Sequence, residues 1–102
     1  MGIQKMSQSG SELTIVLDGN IYVEEATSIR DQVYPFLQKG CHSFWFDMKH
    51  VEYIDSAGLG VLVTLHKRAT ENGGTVKVSN VSRQVKKMLE LTRLQEVFEI
   101  ES

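Results

Sequence analysis

The residues best suited to chemistry in this chain form one short run, Asp55-Ser56-Ala57-Gly58-Leu59-Gly60. Asp55 and Ser56 are both residue types that favour the N-cap position of a helix, and the apolar residues that follow have helical spacing. A hydroxyl at a helix start lies among unpaired backbone N–H groups at the positive end of the helix dipole. The run therefore predicts a serine exposed at the N-terminus of a helix.

Gly58 and Gly60 are unusual in a first helical turn, because each costs up to about 1 kcal/mol relative to Ala. The presence of both glycines indicates a helix surface without side chains, so that another group can approach the backbone closely. The alternative is that both glycines only pack against a neighbouring strand. The residue types are compatible with either interpretation.

The sequence contains no other pattern typical of metal binding, nucleotide binding or hydrolysis. The histidines lack His-x-x-x-His spacing and Cys41 is alone, which argues against a metal site or a disulfide. The glycines match neither a dinucleotide fingerprint nor a phosphate-binding loop, and Ser56 is not in a Gly-x-Ser-x-Gly elbow. Asp47 and Asp55 alone are weak support for hydrolysis. We therefore expect no enzyme activity, no cofactor and no metal.

The composition is that of one ordinary globular domain of 102 residues, 41% hydrophobic and 24% charged. A formal net charge of −2 gives no reason to expect nucleic acid or an anionic membrane as a partner. No apolar run approaches the roughly 20 residues of a membrane-spanning helix, and no signal-peptide core follows residues 1–5. We expect a cytoplasmic monomer that binds neither nucleic acid nor a membrane.

The elements that position the run follow from the apolar patterns. Strands are predicted at residues 3–8, 13–17, 43–48 and 75–79, with a short strand or apolar clip at 97–100. Helices are predicted at residues 24–38, 57–71 and from Ser82 onward. Pro35 should end or kink the first helix near Tyr34, because it lacks a backbone donor. Strands separated by single helices predict an α/β fold with a mixed, largely parallel sheet.

Three details of packing are also predicted. The strand at 43–48 is apolar on both faces apart from Asp47, which is typical of a sheet covered at least partly on both sides. In the following helix, the i, i+3, i+4, i+7 spacing selects one buried face, formed by Leu59, Leu62, Val63 and His66. After Asp18-Gly19 the chain either turns back as a hairpin or bulges and runs on toward the next helix. We favour the bulge, because no strand-like residues follow Val23.

The run at residues 55–60 resembles the phosphorylation-site loop of the STAS domain, the family of bacterial anti-sigma factor antagonists and of the cytoplasmic tails of sulfate transporters. The resemblance covers nearly the whole chain. It extends to Leu17–Ile21, to Phe46-Asp47 with Val51 and Ile54, to Val81–Thr92, and to Leu94–Ile100. It implies a single STAS domain at residues 1–102, with a STAS-like mixed sheet of four to five strands, of the free-standing regulatory type.

The resemblance implies a switch. The unphosphorylated protein would bind a partner that is both an anti-sigma factor and a GHKL-type serine protein kinase. That kinase would phosphorylate Ser56 and be released, and a PP2C-type phosphatase would reset the protein. Phosphate adds a charge of about −1.5 to −2, which beside Asp55 would oppose docking of an acidic or closely packed partner surface. The implied partner-binding residues are Asn20, Tyr22, Asp55, Ser56, Ala57, Gly58, Leu59 and Gly60.

The chain departs from the family pattern at two places near this site. Asn20-Ile21-Tyr22 stands where the family carries Glu-apolar-Asp, which puts the choice of partner in doubt. Ala57 stands where Ser or Thr is commoner, which leaves Ser56 as the one candidate phosphoacceptor. An alternative is therefore a STAS regulator of a non-sigma output such as biofilm formation, controlled by a response-regulator kinase/phosphatase. A small hydrolase that uses Ser56 is a third, more distant alternative.

Overall fold

A five-stranded mixed sheet forms the centre of the computed structural model, which describes residues 2–101. The strands lie side by side in chain order: β1 (Gly2–Ser9), β2 (Glu12–Asp18), β3 (Ser43–His50), β4 (Thr75–Ser79) and β5 (Glu99–Glu101). β1 is antiparallel to β2, and the other neighbours are parallel. The helices are α1 (Val23–Val33), the short α2 (Pro35–Gln38), α3 (Ser56–Glu71) and α4 (Arg83–Leu91), with a 3-10 turn at Leu94–Glu96. The predicted α/β fold is confirmed.

All three crossovers step one strand in the same direction, and right-handed crossovers of that kind place their helices on one face of the sheet. Burial agrees with this arrangement. The residues on the helix side, among them Ile15, Phe46 and Val78, are fully buried, whereas alternate residues on the other face are half-buried. The second face is thus covered in part, by side chains and not by a helix, which agrees with the prediction of a sheet covered at least partly on both sides.

On the face without helices, polar side chains cover Trp45. The Trp45 indole N–H donates to Ser79 Oγ at 2.8 Å, and Lys77 Nζ lies 4.7 Å from the ring centroid. Lys77 Nζ is also 3.3 Å from a Glu101 carboxylate oxygen and 3.9 Å from one of Glu99. A lysine held by two carboxylates thus shields the apolar ring, so no helix is needed on this side.

Pro35 separates the first two helices as predicted. α1 ends at Val33, and Pro35 occupies the first position of α2. A backbone N–H at that position has no acceptor within the helix, so its absence in proline costs no hydrogen bond. Tyr34 lies at the junction, and its hydroxyl donates to the Val61 carbonyl at 2.8 Å. The break therefore ties the end of α1 to the second turn of α3.

The buried stripe of α3 differs from the predicted one. It runs through Leu59, Leu62, Leu65 and Ala69, whereas Val63 is 38% exposed. Leu65 does not fit the i, i+3, i+4, i+7 spacing counted from Leu59, but it fits the same spacing counted from Gly58, which is also buried. His66 is half-buried, with its ring edge against Phe98 at a centroid distance of 5.8 Å. Within residues 2–101 no helix has the length and apolar character required to cross a membrane.

Candidate functional site

Two chain segments meet where α1 and α3 begin. Ile21 forms an isolated parallel bridge with Ile54, in which Ile21 N donates to the Tyr53 carbonyl at 2.9 Å and Asp55 N donates to the Ile21 carbonyl at 3.0 Å. Because α1 starts at Val23 and α3 at Ser56, each helix begins two residues beyond the bridge. The two helices therefore start side by side, and Asn20 and Tyr22 lie at the same edge as the run at residues 55–60.

Gly19 makes this approach possible. Its φ is +74°, a conformation that L residues rarely adopt, and its N–H donates to the His50 carbonyl at 3.0 Å. The chain passes beyond β2 and continues toward Ile54 without turning back. The hairpin is wrong, and the chain runs on toward the next helix as we favoured, although the register shift against β3 lies between Val16 and Asp18 and not at Gly19.

Asp55 caps α3. Its Oδ1 accepts hydrogen bonds from the N–H groups of Ala57 at 3.0 Å and Gly58 at 3.2 Å. A carboxylate here also interacts favourably with the positive end of the helix dipole. Because Asp55 takes the cap, Ser56 becomes the first helical residue. Its side chain is exposed, and its hydroxyl has no hydrogen-bond partner among residues 2–101.

The two glycines have different roles. A Cβ on Gly58 would lie 2.6 Å from Ile54 Cγ1 and 2.9 Å from Ile21 Cγ2, so this position must be glycine for the bridge to pack against α3. A Cβ on Gly60 would meet nothing within 4 Å. The packing interpretation therefore holds for Gly58, and the bare-surface interpretation holds for Gly60.

Three large apolar side chains at the starts of α1 and α3 are exposed. Tyr22 is 47% exposed, Val23 63% and Val63 38%. The Tyr22 ring leans on Tyr53, with centroids 5.9 Å apart and the planes at 47°. Of these residues only Tyr22 was among the predicted site residues. The contact of Tyr22 with Tyr53 depends on the bridge between two distant segments, so no local pattern predicted it, and Val63 had been predicted to be buried.

The other predicted site residues are placed unevenly. Gly58 and Leu59 are buried, and Ala57 is half-buried. These three residues therefore contribute more to holding the loop in place than to contacts with a partner. Asn20 is exposed next to the bridge. The loop before α3 is held from the other side, because Ser82 Oγ donates to the Glu52 carbonyl at 3.2 Å while also capping α4.

Acidic residues predominate in the two segments that meet at the bridge, and Arg30, Lys49 and Lys67 lie just outside them in the chain. Residues 18–29 and 51–66, the two segments that meet at the bridge, contain none of the 11 Lys and Arg residues of the chain. They carry five carboxylates, those of Asp18, Glu24, Glu25, Glu52 and Asp55. Glu25 Oε1 accepts from Tyr22 N at 3.0 Å, which fixes the start of α1. Glu24 and Glu52 are exposed.

Two basic residues lie instead at an open cavity of about 680 Å³. Lys49, Asn80, Val81, Lys86 and Ile100 line it, at the carboxyl ends of β3 to β5. Near it, partial burial raises the pKa of Asp47, but hydrogen bonds from Asn80 and Lys49 and the Lys49 charge outweigh this, so the pKa lies below its usual value. Within the described residues no group of three His, Cys, Asp or Glu side chains could hold a metal.

Comparison with known proteins identifies the class to which this fold and site belong. The STAS domain family matches residues 4–102, and the chain belongs to that family. An anti-sigma-B factor antagonist of Bacillus subtilis (strain 168) is 28% identical over 95 residues, which span 93% of this chain and 86% of that protein. The family resemblance seen in the sequence is thus confirmed.

Solved structures show the same fold. The anti-sigma factor antagonist SpoIIAA in its unphosphorylated form superposes with a TM-score of 0.85 at 16% identity, over 96% of this chain and 87% of that one. The phosphorylated form of SpoIIAA, described as a Bacillus cell fate determinant, gives a TM-score of 0.77 at 15% identity, over 96% and 90%.

Proposed function

We propose that this protein is a partner-switching regulator controlled by phosphorylation of Ser56, and that it acts by binding and not as an enzyme. One observation carries the proposal. Asp55, not Ser56, caps α3, so the Ser56 side chain is exposed and has no structural task within residues 2–101. A modification at this hydroxyl breaks no hydrogen bond of the fold. The similarity to an anti-sigma-B factor antagonist supports the same role.

A phosphate on Ser56 would remain at the exposed start of α3. The positive end of the α3 dipole favours an anion at this position, and the segments 18–29 and 51–66 contain no Lys or Arg with which it could form an ion pair. The fold therefore has no reason to rearrange. The added charge of about −1.5 to −2 acts on whatever docks at this surface.

The partner in this proposal is an anti-sigma factor that is also a GHKL-type serine protein kinase. The unphosphorylated protein binds it, through the exposed positions Asn20, Tyr22, Ser56 and Gly60, and thereby frees its client. Phosphorylation releases the kinase, and a PP2C-type phosphatase restores the binding form. The protein works in the cytoplasm as a single STAS domain.

The test is a pair of pull-downs from extract of the native cell, with Ser56→Ala and Ser56→Asp proteins as baits. A protein with a serine-kinase domain should be retained by the first and lost with the second. A Ser7→Asp bait is the matched control, because Ser7 is an exposed serine on β1, away from the site. Retention of the same kinase by all three baits would refute the switch.

A second output is favoured by one observation, the uncharged segment Asn20–Tyr22 where the family carries two carboxylates. In this version the same Ser56 switch is read by a response-regulator kinase/phosphatase, with an output such as biofilm formation. The retained kinase separates the two outputs. A receiver domain in that protein supports the second, and an anti-sigma factor activity supports the first.

A further inference from the structure

We infer that the open cavity at the carboxyl ends of β3 to β5, here named the Lys86 cavity, binds a compact organic dianion through the ammonium groups of Lys49 and Lys86. The ligand is a dicarboxylate or a phosphate ester. This is a second site, away from the serine, and the inference does not depend on the phosphorylation of Ser56. The shape of the cavity, the charges that line it, the charge pattern of α4 and the fixed position of Asn80 support it.

The Lys86 cavity has the size of a small-molecule site. Its volume is about 680 Å³, and sites for small ligands occupy about 300–1,000 Å³. Val81 and Ile100, both half-buried, form the apolar part of its lining. α4 begins at Arg83, two residues after Val81, so the positive end of its dipole lies at this edge of the sheet. The cavity therefore offers an anion a favourable field and a partly apolar wall.

Lys49 and Lys86 are the charged residues among those that line the cavity. Lys49 Nζ lies 3.7 Å from the nearest Asp47 oxygen, and its side chain is 54% exposed. That distance exceeds the usual length of a charge-assisted hydrogen bond. Lys86 is exposed and makes no ion pair with any of residues 2–101. Two cations from different elements are thus available to one anion.

Acidic residues on the surrounding elements do not line the cavity. Glu99 and Glu101 hold Lys77 on the face of the sheet without helices, at 3.9 and 3.3 Å. Glu52 and Glu90 are exposed and make no ion pair within the described part of the chain. No carboxylate therefore takes the place that the proposed ligand would occupy between the two lysines.

Asn80 keeps the remaining carboxylate engaged. Its φ is +57°, a left-handed conformation that asparagine tolerates better than most residues. Its N–H donates to the Glu101 carbonyl at 3.2 Å, and its Nδ2 donates to Asp47 Oδ1 at 3.1 Å. The same Asp47 oxygen accepts from the Lys49 N–H at 3.1 Å. These bonds fix the cavity lining before a ligand arrives, so little order remains to be created on binding.

The start of α4 concentrates positive charge against the preference of the helix. Arg83 is its first residue, Lys86 and Lys87 follow at once, and its first turn holds no acidic residue. Cations are unfavourable there, because the helix dipole is positive at the N-terminus. The other long helices show the opposite pattern, with two glutamates in the first turn of α1 and Asp55 capping α3. The fold gives no reason for this cluster, whereas a bound anion would offset its repulsion.

The same features select the ligand. A dicarboxylate has one charged group for each lysine, and a phosphate ester carries a charge of about −1.5 to −2 near neutral pH. Either can neutralise both ammonium groups, which a single carboxylate cannot. No lining residue is aromatic or an arginine, so the cavity has no flat group on which a nucleobase could stack. A compact dianion therefore fits better than a nucleotide.

The test is a titration of the full chain followed by backbone amide NMR, with succinate, glycerol 3-phosphate and succinamide as probes. Succinamide is the uncharged counterpart of succinate. At least one dianion should shift the signals of Asn80, Val81 and Lys86, and succinamide should not. Lys86→Gln should weaken binding about fivefold or more, and Lys49→Gln/Lys86→Gln should abolish it.

The matched control is Lys5→Gln/Lys67→Gln, which removes the same charge at exposed lysines on β1 and α3. It should change the affinity less than about twofold, because screening weakens distant charges. Equal losses in both double variants would show general charge attraction and overturn the inference, as would the absence of shifts with both dianions. Tighter binding of ATP than of inorganic triphosphate would show a nucleotide site and overturn it too. Melting curves establish that each variant is folded, and Lys86→Gln, which breaks no ion pair within residues 2–101, decides alone if the double variant is not.

Discussion

Replacing Gly58 by Ala adds one methyl group at a position that has no room for it. The new Cβ would lie 2.6 Å from Ile54 Cγ1 and 2.9 Å from both Ile54 Cδ1 and Ile21 Cγ2. Both isoleucines are buried, at 1% and 0% exposure, so neither can move aside freely. Overpacking of this kind costs about 1–3 kcal/mol, and the gain in helix propensity near a helix end is less than about 1 kcal/mol. We expect a net loss of about 1–2 kcal/mol.

The assay is thermal and urea unfolding followed by circular dichroism, with Gly60→Ala as the matched variant in the same helical turn. At about 4–8 °C per kcal/mol for a domain of this size, the Gly58→Ala protein should melt roughly 4–15 °C lower. The Gly60→Ala protein should melt at the same temperature or a few degrees higher. Alanine lowers the conformational entropy of the unfolded chain, and its methyl group would contact no other atom within 4 Å in the folded protein.

A double variant tests the cause. Ile54→Val removes the Cδ1 atom that the new methyl group would contact, so it should cost less in the Gly58→Ala background than in the wild type, with a coupling of at least about 0.5 kcal/mol. Additive losses would show that the clash is not the reason for the glycine. A Gly58→Ala protein as stable as the wild type would refute the packing argument altogether.

Three further predictions concern stability. Asp55→Ala should cost about 0.5–2 kcal/mol in urea unfolding, because two N–H groups of α3 lose their acceptor, whereas Asp55→Asn should retain most of that; equal losses would contradict the cap. Tyr34→Phe should cost about 1 kcal/mol, since it deletes the bond to the Val61 carbonyl, and an unchanged urea midpoint would contradict that. Because the pKa of Asp47 is lowered in the folded protein, its stabilising contribution is fully present above its unfolded pKa and is lost as the pH falls through the lower folded value. Asp47→Asn should therefore flatten the acid side of a stability–pH profile, and an identical acid limb in both proteins would rule this out.

Much of the fold followed from local patterns. The strands, the helices and the break at Pro35 are all set by residues close together in the chain. The way in which the second face of the sheet is covered could not be predicted, because Lys77, which shields Trp45, belongs to a different strand. The common direction of the crossovers could not be predicted either, because no single segment of the sequence encodes it. The buried stripe of α3 was misplaced at Val63, since the helical period alone does not distinguish it from a stripe through Leu65.

The site divides in the same way. Asp55 and Ser56 could be placed at a helix start because capping depends on neighbours two or three residues away. The distinct roles of Gly58 and Gly60 could not be separated, since both depend on where Ile21 and Ile54 meet. The same long-range bridge brings Tyr22 against Tyr53, and no spacing within either segment records it.

The position of Trp45 has a practical consequence. It is the only tryptophan in the sequence, and it lies on the face of the sheet opposite the helices, under Lys77. Its fluorescence should change when the sheet unfolds and stay constant when a partner covers Tyr22 or when Ser56 gains a charge. Unfolding and docking can therefore be followed on the same unlabelled protein, with the indole emission as the signal for unfolding and the tyrosines at the site as the signal for docking.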